Sequence, residues 1–410
     1  MRAPSVPPRG FIGIRSMSSV AYYMVFPYLG LFFSEQFTTT NAWKIGIIVG
    51  VAVFFTRSGA IVMLAPIQRW GGKGVLMAAY IVGAMCLLAI DWFLFPFFIE
   101  WLIAAAILGI AFAAGTLSMK TWLANAVVDA LLPRAYAALN WAANFGAFFG
   151  PLVGGWLIIG RSRLLIMCAA GSLLITVALA AFMPHSSDGP HVADSQRPSP
   201  SMTGFPRRLP VRFVLFLLAG SLTWFAYAQL FIVFPTYIHG HLSERFVGLL
   251  FAVNALGVIG LQRVVAHYVQ GRGSLTAGPP WGLLIASQCL LGAGLMSLNL
   301  TPIWGAYGAI TGIVLFTGAE MIWSPYYDVL VVTLRESLTT SGAFAYSGLF
   351  WGLAESLGAG TGLAVMSVPQ GPSPMILGGL GALGAAGVLG ILGRRSMAHP
   401  FVPPHNNEEA

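Results

Sequence analysis

Twelve apolar segments of about 20 residues follow one another along this chain, each long enough for a helix to cross the hydrocarbon core of a bilayer. They lie near residues 11–34, 43–66, 74–94, 101–127, 135–160, 164–183, 213–238, 246–266, 281–298, 302–328, 341–366 and 374–393. Lipid offers no hydrogen bonds, so each backbone must satisfy its own polar groups, which predicts helices. Charge is scarce to match: Asp, Glu, Lys and Arg make up 8% of the 410 residues, against about 25% in soluble chains. The expectation is an all-α membrane protein with the bilayer as its surroundings. The first segment is too long for a removable signal peptide and has no small-residue cleavage site, so it reads as a span. Cys86, Cys168 and Cys289 each fall inside a span, which fits core packing and offers neither a disulfide framework nor a metal site.

Basic residues give the orientation, because loops rich in Lys and Arg stay in the cytoplasm. With both termini inside, most of the 21 Lys and Arg residues fall on the cytoplasmic side. Lys44, Arg161, Arg163 and Arg245 fall opposite, and Arg57 and Lys120 remain within spans. The net charge of +8 is thereby spread over short loops, and nothing supports nucleic-acid binding. One long polar interval, 184–211, is rich in Pro, Ser and Gly, as a flexible linker is. It separates a six-helix bundle at 1–183 from a second at 212–393, with a cytoplasmic tail at 394–410. The run GKGVL at 72–76 is echoed by GRGSL at 271–275, where a parallel six-plus-six repeat requires it.

Two motifs carry a resemblance. Residues 146–155 read GAFFGPLVGG, glycines four apart on one helix face with Pro151 between them. Such a face lets another backbone approach closely, while the proline bends the helix at one place. The loop after the second span reads PIQRWGGK at 66–73. This loop resembles the G-x-x-x-D-R-x-G-R-K signature of the major facilitator superfamily at Arg69, Gly71 and Lys73. Leu64 stands where the first glycine belongs, and Gln68 replaces the acid that, in the family, joins a cytoplasmic charge network of the outward-open state. The glycine run is similar to the family's fifth-helix signature at Gly146, Gly150, Pro151, Gly154 and Gly155. In that family the signature marks exporters that exchange substrate for protons. The resemblance covers nearly the whole chain and implies a twelve-helix major facilitator fold of the drug:proton antiporter branch. It also implies a monomer in the bacterial inner membrane, driven by the proton gradient with no cofactor.

Charge placement makes a separate argument. An ionisable side chain at bilayer depth costs about 2.5 to 3.5 kcal/mol on insertion scales and faces a cavity or a partner. Arg15, Arg57 and Lys120 are the deep cations of the first half, and Glu320 and Glu355 the deep acids of the second. Arg57 and Lys120 suit an anionic group in a central cavity. Arg15 either joins them or snorkels to the headgroups; for Arg57 and Lys120 an internal ion pair is the alternative, with Asp129 as one possible partner of Lys120. Glu320 and Glu355 can each hold a proton and release it as water or a cation approaches, the chemistry of a proton carrier; the alternative for each is a structural lock. Trp122, Tyr227 and Gln229 add polar and aromatic groups suited to a small organic substrate, or to ordinary packing. His239 and His241 read as solvated loop residues, with no metal cluster in view. Ser, His and Asp do not converge as a catalytic set, and no phosphate-cradling loop appears, so an enzyme or an ATP-driven pump is not expected. The reading is efflux of a small anionic or zwitterionic organic molecule, a siderophore-like metabolite or a drug. A proton-coupled importer of a small carboxylate is the alternative.

Overall fold

A computed structural model describes residues 9–34, 37, 42–92, 97–126, 132–183, 209–270, 279–335, 338, 340–366, 368 and 371–398. Residues 184–208 of the expected linker, the echo at 271–275, Asp129 and the tail from 399 lie outside the described residues. So do the side chains of Leu64, Gln68 and Asn125. The described residues are predominantly helical: α1 (Arg9–Val25), α2 (Leu29–Ser34), α3 (Ala42–Ser58), α4 (Leu64–Trp92), α5 (Phe98–Ala126), α6 (Leu132–Phe182), α7 (Val211–Ala228), α8 (Phe234–Tyr237), α9 (Glu244–Gln270), α10 (Trp281–Asn299), α11 (Thr301–Trp304), α12 (Ala306–Thr333), α13 (Thr340–Val365) and α14 (Pro374–Ala398).

Nine helices among the described residues are long and apolar enough to span a bilayer, or ten if Trp43–Ser58 and Ile61–Ile67, bent by 49°, form one broken span. One of the nine, Ala138–Phe182, runs for 45 residues, more than twice the roughly 20 that one crossing needs. Its backbone leaves helical values at Ile159, Gly160 and Arg161, where the sequence places the turn between its fifth and sixth spans. With that helix divided and the 26 residues of α13 added, the arrangement is consistent with twelve crossings. The outer faces of α4, α6 and α14 leave Met85, Met167, Ile175 and Leu380 exposed, as lipid contact requires. Cys289 is exposed as well, so of the three free thiols only Cys86 is fully buried.

Prolines break the first span of each half near the same end. Pro27 sits in the short 3-10 turn Phe26–Tyr28 between α1 and α2. Pro235 opens α8 just after the π-helical turn Gln229–Val233; lacking an N–H, it cannot bond the carbonyl one turn back, and the helix widens there. The two broken helices cross at the end remote from the described termini, where Gly30 abuts Thr236 and Leu363.

The signature loop is built into α4. Gly71 has φ 74 and ψ 157, a conformation side chains disfavour, and it breaks the helix between the second and third spans. The buried Lys73 then donates from Nζ to the carbonyls of Met183 (2.5 Å) and Ala181 (3.3 Å) at the end of α6. Those carbonyls have no partner within their helix, and a cation there also complements the helix dipole. Lys73→Met is therefore expected to lower stability by about 1–2 kcal/mol, read as a drop in melting temperature in detergent. Arg69 lies on the exposed side, over the ring of Trp70 at 6.0 Å.

The glycine run of α6 forms a seam against α1. A Cβ on Gly146 would lie 2.6 Å from Val20 N, one on Gly150 2.9 Å from Met24 N, and one on Gly154 2.8 Å from Met24 O. The last of the run crosses to the second half: Gly155 meets the backbone oxygen of Glu244, and Gly248 meets that of Pro151. Tyr28 Oη donates to the same Pro151 oxygen at 2.9 Å.

Candidate functional site

Two seams hold the halves together, α6 against α9 and α3 against α13. Along the second, Gly46 abuts Gly360, and Ser356 Oγ donates to Gly50 O at 2.8 Å. Gly352 then comes close enough that its Cβ would lie 3.1 Å from Arg57 Cβ. The seam ends in an ion pair: Arg57 Nε donates to Glu355 Oε2 at 2.7 Å and Nη2 to Oε1 at 3.2 Å. The guanidinium lies 4.3 Å from the ring centre of Trp351, one helical turn before Glu355. Trp351 in turn stacks on Trp224, 3.7 Å away and 6° from parallel. A bidentate pair with a stacked aromatic holds a guanidinium in one orientation. The side chains are 31% and 10% exposed, which leaves Arg57 partly reachable.

On the near side of this pair a cavity of about 290 Å³ opens between α1, α3, α4, α5 and α13. Its charged lining is Arg15, Arg57 and Lys120; hydroxyls come from Ser18, Ser19, Tyr22, Tyr23, Thr56, Tyr80 and Thr116. Arg15 Nη1 donates to Thr116 Oγ1 at 3.2 Å, so Arg15 reaches inward to a neighbouring helix and does not snorkel. Lys120, exposed on the cavity side, lies within electrostatic range of Arg15, Arg57 and Asp328. Asp328 of α12 faces it from the other half. The possible Lys120 partner read from the sequence was Asp129, which lies outside the described residues; the acid that the fold brings to Lys120 is Asp328.

The deep acids have parted. Glu355 is paired with Arg57, which lines the cavity, whereas Glu320 accepts from Asn254 Nδ2 at 3.0 Å, between α9 and α12. Thr317 accepts from the same amide at 2.9 Å. Glu320 is within electrostatic range of Tyr23 on α1 and of Tyr227. Three residues read as substrate contacts lie outside the cavity lining. Trp122 is buried edge-on against Phe11 at 4.7 Å. Tyr227 is buried among Trp224 and Phe316. Gln229 is wholly buried and donates to Gly358 O at 2.8 Å, tying α7 to α13. Each is packed between helices in this conformation. His239 is solvated, its side chain 63% exposed, and its Nδ1 also lies 2.5 Å from Glu244 Oε1 at the remote end of the α6–α9 seam.

Apolar helices in two halves around a polar, cation-lined cavity, as the described residues form, define an integral membrane protein of transporter type. The family model described as Major Facilitator Superfamily matches residues 11–359, and the chain belongs to that family. An uncharacterized MFS-type transporter of Mycobacterium tuberculosis is 25% identical over 337 residues, 79% of this chain and 76% of the relative. Among solved structures, a POT family transporter in complex with a thioalcohol conjugated peptide superimposes with TM-score 0.74 at 12% identity. It covers 94% of this chain and 96% of its own. A D-xylose-proton symporter superimposes with TM-score 0.71 at 14% identity, covering 93% and 95%. At those identities the likeness establishes the fold, with no bearing on the substrate.

Proposed function

We propose that this chain is a secondary active transporter that exports a small anionic or zwitterionic organic molecule, a siderophore-like metabolite or a drug, in exchange for protons by alternating access. The observation that carries the reading is the Arg57–Glu355 pair, which joins the two halves at the wall of a cavity lined by two further cations. A proton on one Glu355 oxygen neutralises the carboxylate and weakens both charge-assisted bonds, so proton uptake loosens the α3–α13 seam. Glu320, which accepts from Asn254, is the second proton site in this reading. The glycine run from Gly146 to Gly155 supports efflux and the drug:proton antiporter branch. The protein then sits as a monomer in the bacterial inner membrane with both termini in the cytoplasm. Arg69, Gly71 and Lys73 shape the loop at that face, and the cavity opens inward.

The same pair also favours a second reading, import of a small carboxylate with a proton. If the anion displaces Glu355 from Arg57, the freed carboxylate takes a proton and the two ligands travel together. If the anion binds Arg15 and Lys120 while the pair is closed, and the proton binds only as the pair opens, the two ligands exclude one another, as exchange requires. Linkage separates the two. For exchange, the apparent substrate affinity of wild-type protein in proteoliposomes is expected to fall as pH drops; for co-transport it rises. Uptake of a labelled anion against an imposed pH gradient gives the direction directly, and accumulation on the acidic side would establish export. Transport indifferent to the gradient would end both readings.

A further inference from the structure

The cavity's three cations are not equivalent. Arg57 is already engaged through both Nε and Nη2 with a carboxylate and by its face with Trp351. Arg15 has a neutral hydroxyl, Thr116, as its side-chain partner. Thr116 and Lys120 are one helical turn apart on α5, where side chains share a face, so Arg15 of α1 reaches the face of α5 that carries Lys120. Two like charges lining one cavity repel. Asp328 offsets this from across the cavity and belongs to the half that must move away. An anion seated between the cations offsets it in any state of the carrier.

The surroundings are shaped to receive oxygens. Tyr80, 1% exposed, lines the cavity with its ring against Gly115, where a Cβ would collide with it. Its hydroxyl therefore reaches the Arg15 and Thr116 cluster through the one gap a glycine leaves. Ser18, one turn along α1, bonds the Arg15 carbonyl and fixes the local backbone. We infer that Arg15, Thr116 and Lys120, with Tyr80, form the headgroup subsite for an oxyanion, a carboxylate or a phosphate, and that Arg57 is reserved for Glu355. This rests on the anion-transport reading above and sharpens it, because a substrate held here leaves the proton-sensitive pair intact.

The test is thermal unfolding of the purified full-length chain in neutral detergent without added lipid, titrated at constant ionic strength with benzoate, citrate or inorganic phosphate. A saturable rise in melting temperature is expected with at least one of them, the anion that responds telling carboxylate from phosphate. Loss of a charge-assisted hydrogen bond in Arg15→Gln or Lys120→Gln should raise the half-saturating concentration roughly tenfold or more. Arg57→Gln should change it less than about threefold, and Arg15→Lys and Lys120→Arg should recover most of the response, which a merely structural role would not produce. If Arg15→Gln does not purify, Thr116→Val reads the same site. A response that survives in both Gln variants and disappears in Arg57→Gln overturns the subsite and leaves anion transport standing. No saturable response to any of the three overturns both.

Discussion

Glu355→Gln is expected to uncouple transport from the proton gradient, lowering gradient-driven flux about 100-fold or more, while exchange of substrate for substrate continues. The amide keeps the size of the carboxyl and an oxygen for Arg57 to bond, but it is neutral at every pH, so the α3–α13 seam stays in its loosened, proton-loaded condition and no longer responds to the gradient. The converse change is structural. Arg57→Gln leaves a carboxylate that is 10% exposed facing Trp351 without its cation. Removing one partner of a buried pair costs about 3–5 kcal/mol; because Arg57 itself is 31% exposed, the lower end is expected. Flux assays and thermal melts of both single variants and the double variant separate the two roles. If Glu355→Gln keeps full gradient-driven flux while Glu320→Gln loses it, the proton belongs to Glu320 and the pair is a structural lock. Full flux in both variants would remove coupling from these acids altogether.

Gly155→Ala should do something Gly146→Ala does not. Both add one methyl group at a position that has backbone as its neighbour, and overpacking of this kind costs about 1–3 kcal/mol. On Gly146 the methyl strikes Ser19 and Val20, inside the first half, so the cost appears as reduced stability in every state. On Gly155 it strikes the Glu244 backbone across the α6–α9 seam, which must part when the remote end opens. The penalty then falls on this conformation alone. About 2 kcal/mol would shift the ratio of closed to open remote end roughly 30-fold. Distances between spin labels at Ile159→Cys and Ser243→Cys, with the three native cysteines replaced, report the shift. A distance distribution unchanged by Gly155→Ala, with a lower melting temperature, would show that the seam does not part in the transport cycle.

These two glycines show what could and could not be read from the chain. Their spacing and the proline beside them announce a helix face made for close approach, because four-residue periodicity is a local property. Which helix would approach is not local. Gly146 and Gly155 look alike in sequence, yet one packs on α1 and the other on α9, and only the second touches the gate. The candidate charges divide the same way. The cost of ionisable groups at bilayer depth picked out Arg15, Arg57, Lys120, Glu320 and Glu355 from hydropathy alone. Their partners came from elsewhere: Glu355 is 298 positions from Arg57, and Asn254 is 66 from Glu320. Asp328 was passed over because it sits at the predicted edge of its span, two turns beyond Glu320 on the same helix. Trp351, one turn from Glu355, carried a signal that helical spacing could have found. Gln229 and Trp122 went the other way, their polar and aromatic atoms absorbed between helices.

By itself the sequence determined that this protein lives in a bilayer, that its backbone there is helical, and which residues are too polar to sit idle. Those properties follow from solvent and from periodicity, which act within a segment. The bend expected at Pro151 is not a break, since the helical values are lost at Ile159, Gly160 and Arg161 instead. The tertiary structure decided that Arg57 is spoken for by Glu355, that Arg15 and Lys120 share one side of the cavity, and that the glycine run serves both a fixed packing and a closing seam. Those are relations between helices tens or hundreds of residues apart, and they exist only once the two halves pack against each other and their charges compete for partners in a low-dielectric interior.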